Sequence, residues 1–206
     1  MAHASPSQPT LQVWFEFAST YSHVAVQRID AAIAGRGIRL EWRPFLLGPI
    51  FHQQGWDDSP FNIYPAKGAY MWRDLERLCE KHGIPFRKPS RFPRGGLLAS
   101  RVAIAAEREP WLEDFIQRVY LASFAEDREI SSPDVLMDLL QDVGCATASV
   151  WIERAEAPEI KLRLREQTEQ AIALGIFGAP SFVARGELFW GQDRLEDAIE
   201  WSTSHE

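Results

Sequence analysis

The sequence predicts an α/β fold in which a small mixed core is interrupted by an all-helical insertion. Three observations carry this. A strand–helix–strand run fills residues 11–45, helical periodicity dominates the middle, and strand patterning returns only in a late hairpin before a closing helix.

Taken in order, residues 11–18 are apolar and aromatic with one charge, Glu16, as a mostly buried strand requires. Residues 20–34 place Val24, Ile29 and Ile33 at helical spacing, and Gly35 and Gly37 stop that helix. A second strand, 38–45, ends before Gly48-Pro49. Strand, helix and strand in this length favour a parallel pair with a right-handed crossover. Residues 49–65 are rich in Gly, Pro, Asp and Asn with Phe51, Trp56, Phe61 and Tyr64 between them, and read as a long loop of the kind that usually carries function. Helices follow over 70–82, ended at Gly83-Ile84-Pro85, and over 97–107, while Trp111, Phe115 and Val119 mark a third. Ser132 as N-cap with Pro133 behind it opens a helix to Leu140, and residues 159–174 form the last long one, ended at Gly175. Residues 181–184 and 187–190 read as a hairpin turning at Arg185-Gly186. Residues 193–201 close as a helix, with Asp193 and Glu196 at capping-box spacing. A single domain over 11–206 is expected, with its core at about 11–64 and 175–203 and the insertion at about 65–174.

Bulk properties exclude several function classes. The net charge of −7 argues against nucleic acid as the main partner, because a phosphate backbone requires a strongly basic face. Arg87, Arg91, Arg94 and Arg101 gather in one stretch, which offers either a local anion site or a solvated loop; the loop is the reading adopted. Cys79 and Cys145 are the only cysteines and form no Cys-x-x-Cys pair. A disulfide framework, a zinc site and a dithiol redox centre lack their ingredients, so both read as buried small hydrophobes and no metal is expected. No apolar run approaches the roughly 18 residues of a membrane span. Residues 1–10 lack the basic start and apolar stretch of a secretory signal and read as a frayed tail, so a cytoplasmic location is expected.

Three places carry candidate chemistry. Ser19 falls where a buried strand gives way to a helix, beside free backbone N–H groups and the positive helix end, where an anion is stabilised. A thiolate there has a lowered pKa. Simple N-capping explains the same serine. In Gly178-Ala179-Pro180-Ser181, a cis bond before Pro180 exposes the Ala179 backbone for strand-like pairing with an extended peptide; an ordinary trans turn is the alternative. In Phe189-Trp190-Gly191-Gln192-Asp193-Arg194, Asp193 suits a ligand ammonium, with Gly191 permitting close approach, and helix capping explains it equally.

The order and spacing of these segments resemble a known family. Phe15-Glu16-Phe17-Ala18-Ser19-Thr20-Tyr21-Ser22, Gly175-Ile176-Phe177-Gly178-Ala179-Pro180-Ser181-Phe182 and Trp190-Gly191-Gln192-Asp193-Arg194-Leu195 are similar to the opening and closing motifs of the 2-hydroxychromene-2-carboxylate isomerases. Those enzymes share with the kappa-class glutathione transferases a DsbA-like thioredoxin fold with a helical insertion, so the resemblance implies that fold here. It further implies glutathione as cofactor, its sulfur held as thiolate by Ser19, its cysteinyl part paired with the backbone at Ala179 before Pro180, and its γ-glutamyl end held by Trp190, Gly191, Gln192 and Asp193. Serines stand at both positions where DsbA-like oxidases carry cysteine, Ser19 and Ser22, which excludes intrinsic disulfide exchange.

The thiolate is then expected to add to a conjugated aromatic substrate and leave after rotation, which is nucleophilic catalysis with a borrowed nucleophile. Asn62 and Lys67 are the implied substrate-facing groups, Lys67 towards a carboxylate, with a plain surface lysine as alternative. A homodimer is implied as well. Thr20 departs from the family's proline, Gln192 from its asparagine, and Gly95-Gly96 from its polar residues. Two other readings stay open: a kappa-type transferase or peroxidase, and a non-catalytic glutathione- or peptide-binding module.

Overall fold

The computed structural model describes residues 8–204, which leaves most of the expected tail and the last two residues of the expected domain outside the described residues. Four strands form one sheet: β1 (Thr10–Phe15), β2 (Arg39–Pro44), β3 (Ser181–Ala184) and β4 (Glu187–Trp190), in the order β2-β1-β3-β4. β1 pairs parallel to β2 through the crossover helix α1 (Thr20–Ile33), and antiparallel to β3, with Val13 opposite Phe182. β3 and β4 make the expected hairpin, with Arg185 at φ 52° and Gly186 at φ 83°, the paired left-handed residues of a tight two-residue turn.

Between β2 and β3 the chain is helical: α2 (Leu47–Gln53), α3 (Pro60–Ile63), α4 (Pro65–His82), α5 (Leu97–Ala105), α6 (Leu112–Phe124), α7 (Pro133–Asp142), α8 (Ala148–Ala155) and α9 (Pro158–Ala173). A 3₁₀ turn, Gln192–Arg194, leads into α10 (Leu195–Thr203). Strand alternation sorts the sheet's two faces. Leu11, Val13, Phe182 and Ala184 bury against Ala25 and Ile29 of α1 and Leu195 and Ile199 of α10. Trp14 and Val183 face the other way, onto Ile50 of α2 and Ala171 of α9. Phe15 and Phe17 run on into the core of the helical insertion with Phe115, Tyr120 and Leu136.

Several expectations are corrected. The first strand stops at Phe15, not residue 18, because the chain turns there: the Ser19 N–H reaches the Glu16 carbonyl at 2.9 Å. Thr10, expected in the tail, already belongs to that strand. The aromatic stretch over 49–65 contains two short helices rather than a plain loop. Pro49 lies in the first turn of α2, where its missing N–H would have had no partner, and Ser59 caps α3 by accepting from the Phe61 N–H at 3.3 Å. α4 starts at Pro65, five residues earlier than expected, and packs so tightly on α3 that a Cβ at Gly68 would collide with the Phe61 carbonyl. α8 was not anticipated; it is short and buries Ala148, Trp151 and Ala155. The Asp193–Glu196 capping box does not form, because Asp193 sits in the 3₁₀ turn and its carboxylate goes to the Arg194 guanidinium at 3.1 Å.

Candidate functional site

The site begins where β1 turns into α1. Ser19 is the N-cap of α1: its hydroxyl accepts from the Ser22 N–H at 3.2 Å and donates to the Ala179 carbonyl at 2.8 Å. The capping reading of this serine therefore holds, and the same hydroxyl donates its hydrogen to the segment before Pro180. No acidic residue lies in the first turn of α1, so the positive end of the helix is not cancelled from within. Thr20 is buried in the same turn with its hydroxyl 3.1 Å from the Met71 sulfur, which anchors the helix start on α4. Tyr21 donates to Asp74 at 3.0 Å and packs beside Phe61, and burial together with that carboxylate holds the phenol above its ordinary range.

The Ala179–Pro180 bond is cis. The Pro180 carbonyl accepts from the Gly191 N–H at 3.0 Å, so the two late motifs are stitched together across the β3–β4 ladder, where Ser181 pairs with Trp190. Trp190 is half exposed and stacks obliquely on Phe177 with ring centroids 4.7 Å apart. Two glycines make this possible. A Cβ at Gly178 would lie 2.5 Å from the Trp190 indole nitrogen, and Gly191 has φ 113° with its hypothetical Cβ 2.5 Å from Asp193 Oδ1. Gln192 is braced from α1: Arg28 donates to its side-chain oxygen at 3.0 Å and pairs with Glu196.

The structure thus joins Ser19 to Ala179 and Pro180 to Gly191 by hydrogen bonds and Trp190 to Ser181 by strand pairing, while Gln192 bonds to Arg28 further along α1. The region joins an N-capping hydroxyl at a helix end to the segment before a cis-proline, with the half-exposed Trp190 indole against Gly178. The profile of the DSBA-like thioredoxin domain matches residues 10–200.

The chain belongs to the DSBA-like thioredoxin family.

Among its relatives, glutathione S-transferase kappa 1 of Homo sapiens is 27% identical over 204 residues, covering 93% of this chain and 89% of the relative. The 2-hydroxychromene-2-carboxylate isomerase of Sphingobium xenophagum is 26% identical over 188 residues, covering 91% and 94%. A solved structure of 2-hydroxychromene-2-carboxylate isomerase superposes with a TM-score of 0.81 at 22% identity, covering 90% of each chain.

The other expected site residues of this DSBA-like chain are arranged differently. Asn62, on α3, turns its amide to the Asp58 carboxylate at 3.0 Å, and Lys67, in the first turn of α4, sets its ammonium 5.9 Å from the Phe61 ring centre. Both are exposed. Through Phe61 they border Tyr21 of α1, and neither makes a hydrogen bond or ion pair to Ser19 or to residues 178–193. Asp193 also stays on the surface, with Arg194.

The arginine-rich stretch is neither an anion site nor a purely solvated loop. Arg94 is buried, donating to the Ser123 carbonyl at 2.9 Å and pairing with Asp127, while Arg87 and Arg91 face Asp127 and Glu129 from the surface. Cys79 and Cys145 are buried and unpaired, and burial pushes the Cys79 thiol up to about 11, far from a nucleophile's range.

Sequence reasoning missed three contributors. Glu16 is a buried carboxyl under the turn, and its signal was legible as the lone charge in an apolar strand. Gly96 approaches Phe17 and Glu16 so closely that a Cβ would sit 2.9 Å from the Phe17 Cβ, which explains the glycine. Nothing in the sequence marks Arg28, whose partners lie more than 160 positions away.

Proposed function

We propose that this chain binds glutathione at the mouth of α1 and works as a glutathione-dependent isomerase of an aromatic or chromene-type carboxylate. The observation that carries the reading is the Ser19 hydroxyl, which caps α1 and reaches the carbonyl of the residue before the cis-proline. The relatives named glutathione S-transferase support the cofactor, and those named 2-hydroxychromene-2-carboxylate isomerase support the reaction.

When bound, glutathione supplies a nucleophilic sulfur that is regenerated at the end of the isomerisation. The chain's own residues divide the remaining work. Ser19 holds a hydroxyl hydrogen and the amide-rich end of α1 towards an anion, both of which favour the charged form of a thiol. Ala179 offers a backbone carbonyl to an incoming peptide N–H; accepting it releases the Ser19 hydroxyl to donate elsewhere. Trp190, Gly191, Gln192 and Asp193 line the route for the γ-glutamyl end, with Gln192 braced by Arg28. Lys67 serves the substrate carboxylate from the α3–α4 corner, and Asn62 joins it only when its amide leaves Asp58. Aromatic-compound breakdown by a cytoplasmic homodimer is the setting that goes with this reading.

A kappa-type transferase is the second reading, supported by Asn62: its amide is engaged with Asp58 and not turned out as a carboxylate-reading group would be. Calorimetry with reduced glutathione tests the shared part, with saturable heat expected. Supplying the purified protein with a chromene carboxylate and, separately, a chlorinated nitroaromatic separates the two readings. Isomer formation without conjugate is expected; conjugate alone promotes the transferase.

A further inference from the structure

The Glu16 carboxyl is the least expected group in the molecule. It is 8% exposed, at the end of a strand whose neighbours Phe15 and Phe17 are fully buried. One carboxyl oxygen accepts the Ala18 N–H at 2.9 Å; the other lies 3.0 Å from where a Gly96 Cβ would be. The residue's own carbonyl is also held, accepting the Ser19 N–H at 2.9 Å and the Tyr120 hydroxyl at 2.8 Å. The carboxyl thus sits at the start of α1, holding the amide of the residue just before the cap, Ser19.

Among the described residues no cation answers it. On α1, His23 is buried, and burial pulls its imidazole down to about 4, so it is neutral near pH 7. On α6, Tyr120 is buried and held well above its ordinary range, so it too is neutral. On the stretch before α5, the Arg94 guanidinium is committed to Ser123 and Asp127, with Glu129 alongside. Among the described residues no lysine, arginine or histidine forms an ion pair with Glu16. A buried acid without a counter-charge resists ionising, and burial raises this one to about 7.

Resting on the glutathione reading above, we propose that Glu16 is a positioning residue for the sulfur: its carboxyl and the bound thiol share one helix end, ionise in competition, and so fix the pH at which the thiolate forms. Two anions beside one set of amides repel, so the pair carries one negative charge near neutral pH. Thiolate formation from the state with ionised Glu16 breaks the S–H bond and places the proton on a Glu16 oxygen. The electron pair of that bond stays on sulfur and the net charge is unchanged.

The experiment follows the ultraviolet absorbance of the thiolate against pH, with glutathione saturating, in the unmodified chain, Glu16→Gln and Glu16→Asp. Gln keeps an oxygen for the Ala18 N–H but removes the competing charge. Its thiolate is expected to form about one pH unit lower, a tenfold change in the ionised fraction at a given pH, while Asp stays near the unmodified profile. Calorimetry on the same samples reports binding. Glutathione bound by Glu16→Gln with an unchanged profile overturns the proposal and leaves the glutathione reading standing; no binding by the unmodified chain removes both. Should Glu16→Gln fail to fold, difference infrared spectroscopy of the unmodified chain near pH 7 decides. Adding glutathione is expected to raise the protonated-carboxyl band, and no rise overturns the proposal.

Discussion

At the mouth of α1, Ser19 reaches Ala179 across 160 positions of sequence, whereas on α3 Asn62 reaches only Asp58, four positions away. The first contact ties β1's end to the entry of β3 and is backed by sheet pairing, the Gly191–Pro180 bond and the Arg28 brace. The second is local and exposed, and Lys67 beside it rests only on an aromatic face. The region assigned to sulfur is therefore preorganised by the whole fold, while the region assigned to substrate is set by a few adjacent residues. If glutathione binds as proposed, its sulfur meets the part of the fold that is fixed over the longest span of sequence, and the substrate meets the part that a few local substitutions can change.

The sharpest way to break this contrast is Ser19→Ala. Losing a preorganised donor is expected to lower turnover about a hundredfold, measured by steady-state kinetics, with about 1 kcal/mol of stability lost with the cap. Retained activity would falsify the role given to the helix mouth.

Glu16 gives the next effect, in stability. Its folded-state pKa of about 7 lies above the ordinary 4.5, so ionisation costs more in the folded chain than in the unfolded one. The associated stability is complete below pH 4.5 and is lost as pH rises through about 7, with a total near 3 kcal/mol. Denaturant melts at pH 5 and pH 8 are expected to show that drop in the unmodified chain and a smaller one in Glu16→Gln.

Gly96→Ala comes third. Its new methyl meets the buried Phe17 side chain at 2.9 Å and Glu16 at 3.0 Å, so about 2 kcal/mol of destabilisation is expected from the same melts.

Smallest are Asn62→Ala and Lys67→Ala, each expected to move stability by no more than about 0.5 kcal/mol. Lys67→Ala should raise KM for a carboxylate substrate severalfold with glutathione affinity unchanged. If it instead weakened glutathione as strongly as Ser19→Ala, the two regions would not be separate.

The frame was legible in the sequence because its signals are local. Alternation over 181–184 and 187–190 and the permissive Arg185-Gly186 pair place the hairpin correctly. Ser19 was legible because a serine between a buried strand and a helix has a restricted set of uses. The misses arise where tertiary contact outweighs composition. Residues 49–65 read as loop from their Gly, Pro, Asp and Asn content, yet Pro49 and Pro60 sit in first helical turns, where proline loses nothing. Asp193 had capping spacing, but the Arg194 guanidinium next to it, which also holds Asp197, takes the carboxylate. Gly96 looked like the loss of a polar group; it is a point where the Phe17 side chain and the Glu16 carboxyl press on the backbone.

The pairing of β1 has a consequence for synthesis. One side of that strand is matched by β2 soon after it is made, but the other is matched by β3, which follows eight intervening helices. Until then a nascent chain carries an open row of amides and carbonyls, the usual template for pairing with a neighbouring polypeptide. Elongation that pauses within the helical insertion exposes this edge longest, and rapid completion of the carboxyl-terminal hairpin is what seals it.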